Sequence, residues 1–407
     1  MTPRERIMTA CRHRSPDRVP VDFSGHRSSG ISALLYPKLR NALGLPPVDV
    51  RIYDPVQQLA IVDTDVLDRF GVDTVELGRG FALEDSDWAD WVLPDRTPCK
   101  IVSWAAPRRQ KDRWVITSRS GRELGHMVDG SVYFEQTYFP LMEDPEMALE
   151  EALNECLWTA VVTPPGPETS RQKLREGAAA LRASTDRAII GLFGGSLVET
   201  GEFLFRMDRF LEMLVAEPEK VHAFLDRLVE LHLTKLEQYL ADVGDNIDII
   251  LFGDDMGMQT GPLISPAMYR EFFKPRHELL WRRAKELTDV KVQLHCCGGI
   301  SPLLPDLIDA GLDIINPVQT SCAGMDPGYL KREFGNDMVL WGGGCDTQHM
   351  LPEEKPAVVR EHVKERVRIL NPGGGFVFQQ VHNILAFVPP ENVIAMFDSV
   401  QQRAAFQ

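Results

Sequence analysis

A histidine and a cysteine two residues apart, His295 and Cys297, close the apolar run Val292-Gln293-Leu294. On a β-strand alternate residues share a face, so these two side chains point one way and Cys296 points the other. An imidazole and a thiolate on one face are zinc-type ligands, and a catalytic zinc commonly takes three protein ligands and leaves a fourth position open. Two residues are candidates for the third place: Cys345, in Gly342-Gly343-Gly344-Cys345-Asp346, and His382, in Gln379-Gln380-Val381-His382-Asn383. Asp254 and Asp255, in Gly253-Asp254-Asp255-Met256-Gly257, add carboxylates able to contact substrate or to act as an exchangeable ligand, and Gln259 is a further contact candidate. Cys296 reads as a small buried hydrophobe. Cys11, Cys99, Cys156 and Cys322 have no ligating company and read as structural.

These residues gain force from where they fall. Eight short runs rich in β-branched residues alternate with helical stretches: Val19–Phe23, Val72–Leu77, Ala188–Phe193, Ile247–Phe252, Lys291–His295, Ile314–Val318, Met338–Trp341 and Phe376–Val381. Leu225, Leu228, Leu231, Leu236 and Leu240 mark one long helix, and Ser265-Pro266 opens another with a capping residue and a first-turn proline. Further helices are expected over Pro302–Ala310, Pro327–Phe334, Glu353–Leu370 and Glu391–Ala405. Eight such units predict an α/β fold, a (β/α)8 TIM barrel, whose chemistry sits at the C-terminal rim of the strands. His295, Cys297, Cys345, His382, Asp254 and Asp255 all fall there. From about residue 85 to 140 the alternation gives way to β-type pieces, Lys100–Trp104 and Arg113–Thr117, which predict a β-hairpin insertion after the second strand. That insertion could help shape a lid or offer a surface for a homo-oligomer.

The chain of 407 residues carries 44 Lys and Arg against 59 Asp and Glu, a formal net charge of −15, which argues against nucleic-acid binding. With 44% hydrophobic and 25% charged residues it has the composition of a globular protein, read as one domain over 1–407. No apolar run reaches the roughly 18 residues of a membrane span, and the N-terminus lacks an apolar signal region, so a cytoplasmic, thiol-reducing setting is expected. The basic stretch from Arg4 to Arg18 reads as a solvated helix face.

The sequence resembles the uroporphyrinogen decarboxylase superfamily in Arg18-Val19-Pro20-Val21, Phe70-Gly71-Val72-Asp73, Gly253-Asp254-Asp255 with Ser265-Pro266 and Pro275, His295-Cys296-Cys297-Gly298, Gly311-Leu312-Asp313 and Pro389-Pro390-Glu391-Asn392-Val393. The resemblance implies a (β/α)8 barrel. Its decarboxylase branch carries Arg-Gln-Ala-Gly-Arg where this chain has Ser24-Gly25-His26-Arg27-Ser28, and Ser-Asp about where it has Gly78-Arg79. A cationic arginine cannot accept the pyrrole N–H bonds that the aspartate accepts. The zinc-dependent corrinoid methyltransferases carry His-x-Cys at the fifth strand, matched by His295 and Cys297. Their third ligand is a cysteine after the last strand, where this chain has His382 while offering Cys345 one strand earlier.

The resemblance thus implies a zinc-dependent methyltransferase moving a methyl group between a small-molecule donor or acceptor and a corrinoid (cobalamin). Metal ligands would be His295, Cys297 and either Cys345 or His382, with Asp254 and His382 catalytic and Asp255 and Gln259 contacting substrate. No Asp-x-His-x-x-Gly cobalamin motif occurs in the sequence, so the corrinoid is expected on a partner protein. The competing readings are a decarboxylase of the uroporphyrinogen type and a non-catalytic barrel that binds a corrinoid or another small ligand.

Overall fold

The computed structural model describes residues 1–80, 84–162 and 167–401. Seven strands form one parallel sheet in chain order: β1 (Thr74–Glu76), β2 (Ala188–Gly194), β3 (Ile249–Gly253), β4 (Lys291–His295), β5 (Ile314–Asn316), β6 (Val339–Trp341) and β7 (Phe376–Val377). The sheet curls so that the segment around Val21 lies between its two edges. Asp22 N donates to Phe378 O at 2.8 Å, Phe378 N to Pro20 O at 2.9 Å and Asp73 N to Val21 O at 2.8 Å.

The strands are short, nearly continuous apolar runs because both of their faces are covered. Ile190, Ile249, Leu251, Ile314, Val339, Trp341 and Val377 fill the inside. Val292, Leu294, Cys296, Ile250 and Phe252 belong to the larger outer core, shared with the leucine stripe of the helix Pro218–Val243. Ser265 caps the next helical stretch by accepting from Met268 N, as its place before Pro266 predicts. The last helix, Pro390–Gln401, ends at the edge of the described residues, so the expected 402–405 lie outside them.

The N-terminal helix corrects one expectation. Ile7 and Ala10 of α1 (Pro3–Ala10) join the inner cluster, and of the basic residues Arg6 is buried while Arg4, Arg12 and Arg14 stay exposed. Arg6 is buried with Nη1 2.5 Å from Asp73 Oδ1, and Arg4 Nε lies 2.6 Å from Asp248 Oδ1. Asp73 and Asp248 each immediately precede a barrel strand, so α1 covers the N-terminal end of the sheet and the other end is left for a site. The partners lie 67 and 244 residues away in sequence, out of reach of any local pattern.

Between β1 and β2 the chain forms strands Trp88–Val92, Pro98–Val102, Arg108–Gln110, Arg113–Thr117, Glu123–Val128 and Glu135–Gln136, in two four-stranded sheets. The first sheet also recruits Arg51–Asp54 and Leu59–Ala60 from ahead of β1, pieces too short to show alternation. Trp91 and Trp114 meet edge to face at 5.4 Å and join the two sheets. This β-rich region also holds the loop after β7: Asn383 Nδ2 donates to Gln57 Oε1 at 2.8 Å and Tyr133 Oη to Asn383 Oδ1 at 3.4 Å.

Candidate metal centre

The parallel register sets Gly253, His295 and Asn316 level at the ends of β3, β4 and β5. Beyond them the chain turns sharply. Gly298 has φ +96°, and a Cβ there would lie 2.3 Å from the Gly257 carbonyl carbon. Glycine thus lets the loop after β4 press against the loop after β3, and Cys297 N donates to Asp255 Oδ1 at 2.7 Å.

His295, Cys297 and His382 converge. One potential ligand atom from each lies within 4.8 Å of the others. Cys297 Sγ is 3.4 Å from His295 Nε2, and the two imidazoles meet at 5.7 Å between centroids. His295 Nδ1 faces Asn316 Oδ1 at 2.9 Å, which leaves Nε2 to face Cys297. Burial, with His295 alongside, holds the His382 imidazole down at about 4, so it is neutral near pH 7 and its lone pair is free. Burial and the Asp255 carboxylate push the Cys297 thiol well above its ordinary range. A thiol so placed keeps its proton until a cation takes the proton's place. Two imidazoles and one such thiol fit zinc.

Of the two candidates for the third ligand, the group contains His382 and not Cys345. Cys345 is fully buried, its Sγ directed to Asp346 O at 3.7 Å, and burial pushes its thiol up as well. Its main chain, bridged to Gln380, helps set the backbone that leads to His382. Cys296 is buried in the outer core and accepts from Met256 N at 3.3 Å.

A second, acidic wall faces this group. Asp254, expected as a catalytic or substrate contact, is fully buried. Its oxygens accept from Leu197 N at 3.0 Å, Val198 N at 3.2 Å and Glu199 N at 2.9 Å, which are the first amides of α2 (Val198–Phe205), and His277 Nε2 lies 3.0 Å away. These contacts engage the carboxylate with a helix N-terminus and an imidazole. Asp255 is the exposed member of the pair, its Oδ1 3.8 Å from His295 Nε2. Gln259 sits exposed in the hairpin beyond, where its Oε1 accepts from Cys322 Sγ at 3.2 Å.

Sequence reasoning missed Glu199 and Glu202, three residues apart on α2. Burial, then Asp255 and Asp254, raise the Glu199 carboxyl well above the usual range. Burial and the same two aspartates push Glu202 up to about 8, and its Oε1 has no hydrogen-bond partner among the described residues. The signal was the spacing of two glutamates on one helix face after a barrel strand. Asn316 was also missed, a polar residue ending an apolar strand.

The profile of uroporphyrinogen decarboxylase (URO-D) matches residues 163–403, more than half of the chain. The methylated-thiol–coenzyme M methyltransferase of Methanosarcina mazei is 32% identical over 152 residues, 37% of this chain and 36% of that protein. A uroporphyrinogen decarboxylase of Synechocystis is 24% identical over 191 residues, 47% of this chain and 50% of that protein. The chain thus spans about a third to a half of the length of these curated relatives. A solved structure of a methyltransferase from Methanosarcina mazei superposes with a TM-score of 0.58 at 16% identity, covering 99% of both chains, which shows a shared fold. On the profile match and this fold, the chain belongs to the uroporphyrinogen decarboxylase (URO-D) family.

Proposed function

We propose that this protein is a zinc-dependent methyltransferase moving a methyl group between a small-molecule substrate and a corrinoid carried by a partner protein. The observation that carries the reading is the convergence of His295 Nε2, Cys297 Sγ and a His382 nitrogen at the C-terminal rim. Likeness to a methylated-thiol–coenzyme M methyltransferase over part of the chain supports it. Zinc held there would act as a Lewis acid, binding a thiol as thiolate near neutral pH or polarising a methylated heteroatom.

The chain's own groups do the rest. His295 and His382 offer ring nitrogens, and Cys297 gives up its Sγ proton on ligation. Asp255, anchored through Oδ1 to Cys297 N, stands close enough to touch a substrate at the open position or to occupy it beforehand. Glu202 holds its proton at neutral pH, and Glu199, its carboxyl raised by burial, lines the same side. Asp254 keeps α2, and with it both glutamates, in place. Gln259 is a substrate contact only where a ligand reaches out to its hairpin.

The test is demethylation of methylcobalamin with a panel of thiols, and methylation of cob(I)alamin from methylated thiols, methoxy-aromatics and methylamines, in wild type and Cys297→Ser. Turnover that vanishes with Cys297→Ser and with chelator supports the reading. Conversion of a porphyrinogen carboxylate with unchanged activity in chelator would replace it with the decarboxylase reading, and corrinoid binding without turnover would replace it with the carrier reading.

A further inference from the structure

Below the rim, the barrel interior holds a closed set of buried polar groups: Asp22, His26, Ser28, Asn316 and Gln379, each 5% exposed or less. Two main-chain carbonyls, which can only accept, orient its two amides. Asn316 Nδ2 lies 3.2 Å from Trp341 O, so the amide NH2 is on that side and Asn316 Oδ1 accepts. Facing that oxygen, both at 2.9 Å, are His295 Nδ1 and Ser28 Oγ. Ser28 therefore spends its one proton on Asn316, and its oxygen can only accept from His26 Nδ1 at 2.9 Å.

The second carbonyl closes the circuit. Gln379 Nε2 lies 3.3 Å from Ser28 O, so Gln379 Oε1 accepts, receiving Asn316 Nδ2 at 2.9 Å. His26 Nε2 faces that oxygen at 3.0 Å and Asp22 Oδ2 at 3.2 Å, both acceptors. Both ring nitrogens of His26 thus face acceptors. One of these is Asp22, which also accepts from Thr74 Oγ1 at 2.6 Å, Trp341 Nε1 at 2.9 Å and Gly25 N at 2.9 Å.

We propose that His26, protonated on both nitrogens and paired with Asp22, is a positioning residue of the metal centre. Acting through Ser28 and Gln379 on Asn316, it keeps the His295 proton on Nδ1 and Nε2 open for a metal. A His26 lacking its Nε2 proton would set its lone pair against Gln379 Oε1 at 3.0 Å, which favours Gln379 turning its NH2 toward His26 and Asn316 over keeping its longer 3.3 Å contact with Ser28 O. The Asn316 amide would then turn in its own place and offer N–H rather than oxygen to His295. Ligating histidines are commonly oriented by such outer partners, whose loss typically costs about 10–100-fold in metal affinity. The metal-affinity part rests on the zinc reading above; the proton arrangement does not.

The experiment is NMR of the metal-free full chain labelled with 15N-histidine at neutral pH, with cobalt(II) titration alongside. Expected are one imidazole with two N–H groups, identified by its loss in His26→Gln, and a His295 ring in the Nδ1–H form. In His26→Gln and Ser28→Ala, His295 should populate the Nε2–H form and cobalt(II) affinity should fall by about 10–100-fold, while Ser28→Thr, which keeps the hydroxyl, stays near wild type. A singly protonated His26, an Nε2–H His295 in wild type, or full cobalt affinity in both disruptive variants would overturn the proposal. The expected proton pattern in a wild-type chain that binds no cobalt would instead overturn the zinc reading alone.

Discussion

The two walls of the candidate centre, one at strand ends and the other carried by α2, are both built from ionisable side chains, yet burial acts on them in opposite directions. On one wall His295 and His382 converge with Cys297, and burial keeps His382 neutral. On the other, Glu199 and Glu202 are buried beside two aspartates and hold their protons well above the usual carboxylate range. The same desolvation keeps the His382 imidazole uncharged and raises the affinity of the carboxylates for protons, because it penalises whichever form is charged. One wall therefore has free donors for a cation. The other can sit close to it without claiming it.

The largest expected effect breaks the first wall. His382→Ala should lower zinc affinity, measured by chelator competition, by about 100-fold or more, whereas Cys345→Ser should leave it unchanged. The reverse outcome would return the third-ligand place to Cys345.

The second wall is sharpened by pH. Glu202 keeps its proton in the folded chain up to about pH 8, against an unfolded value of about 4.3. The folded state thus binds the extra proton, and the stability this residue contributes is present at low pH and lost as pH rises through that window. In metal-free protein Glu202→Gln should be more stable than wild type by up to about 5 kcal/mol above about pH 8, with the gain fading toward about pH 4. Thermal melts across that range check it, and a gain independent of pH would refute the assignment.

The adjacent aspartates give the next contrast. Asp254→Asn removes the charge that three helix amides and His277 share, and should cost about 2 kcal/mol in chemical denaturation. Asp255→Asn keeps an acceptor for Cys297 N and should change stability by less than about 0.5 kcal/mol. Smallest of all, Gln259→Ala should fall within about 0.5 kcal/mol and leave zinc affinity unaltered.

Seven of the eight expected runs were readable as strands because each is short and doubly buried, and Lys291–His295 coincides with β4 residue for residue, whereas Val19–Phe23 forms only an isolated bridge from Val21 to Phe378. Period-two geometry also separated His295 and Cys297 from Cys296. What escaped depends on pairings across the sheet. The ion pairs of Arg4 and Arg6 under the barrel, the bond from Asn316 to His295, and the choice of His382 over Cys345 are set by which strand ends lie level, and no local spacing encodes that. Asp254 and Asp255 show the limit most plainly. Neighbours in sequence and identical in chemistry, they part only because one points into the N-terminus of α2 and the other toward Cys297.

The most direct measurement is the absorption spectrum of the cobalt(II)-substituted protein. A centre built on His295, Cys297 and His382 predicts a tetrahedral cobalt spectrum with thiolate-to-metal charge transfer that is lost in Cys297→Ser and retained in Cys345→Ser. Charge transfer that survives Cys297→Ser, or disappears with Cys345→Ser, would contradict it.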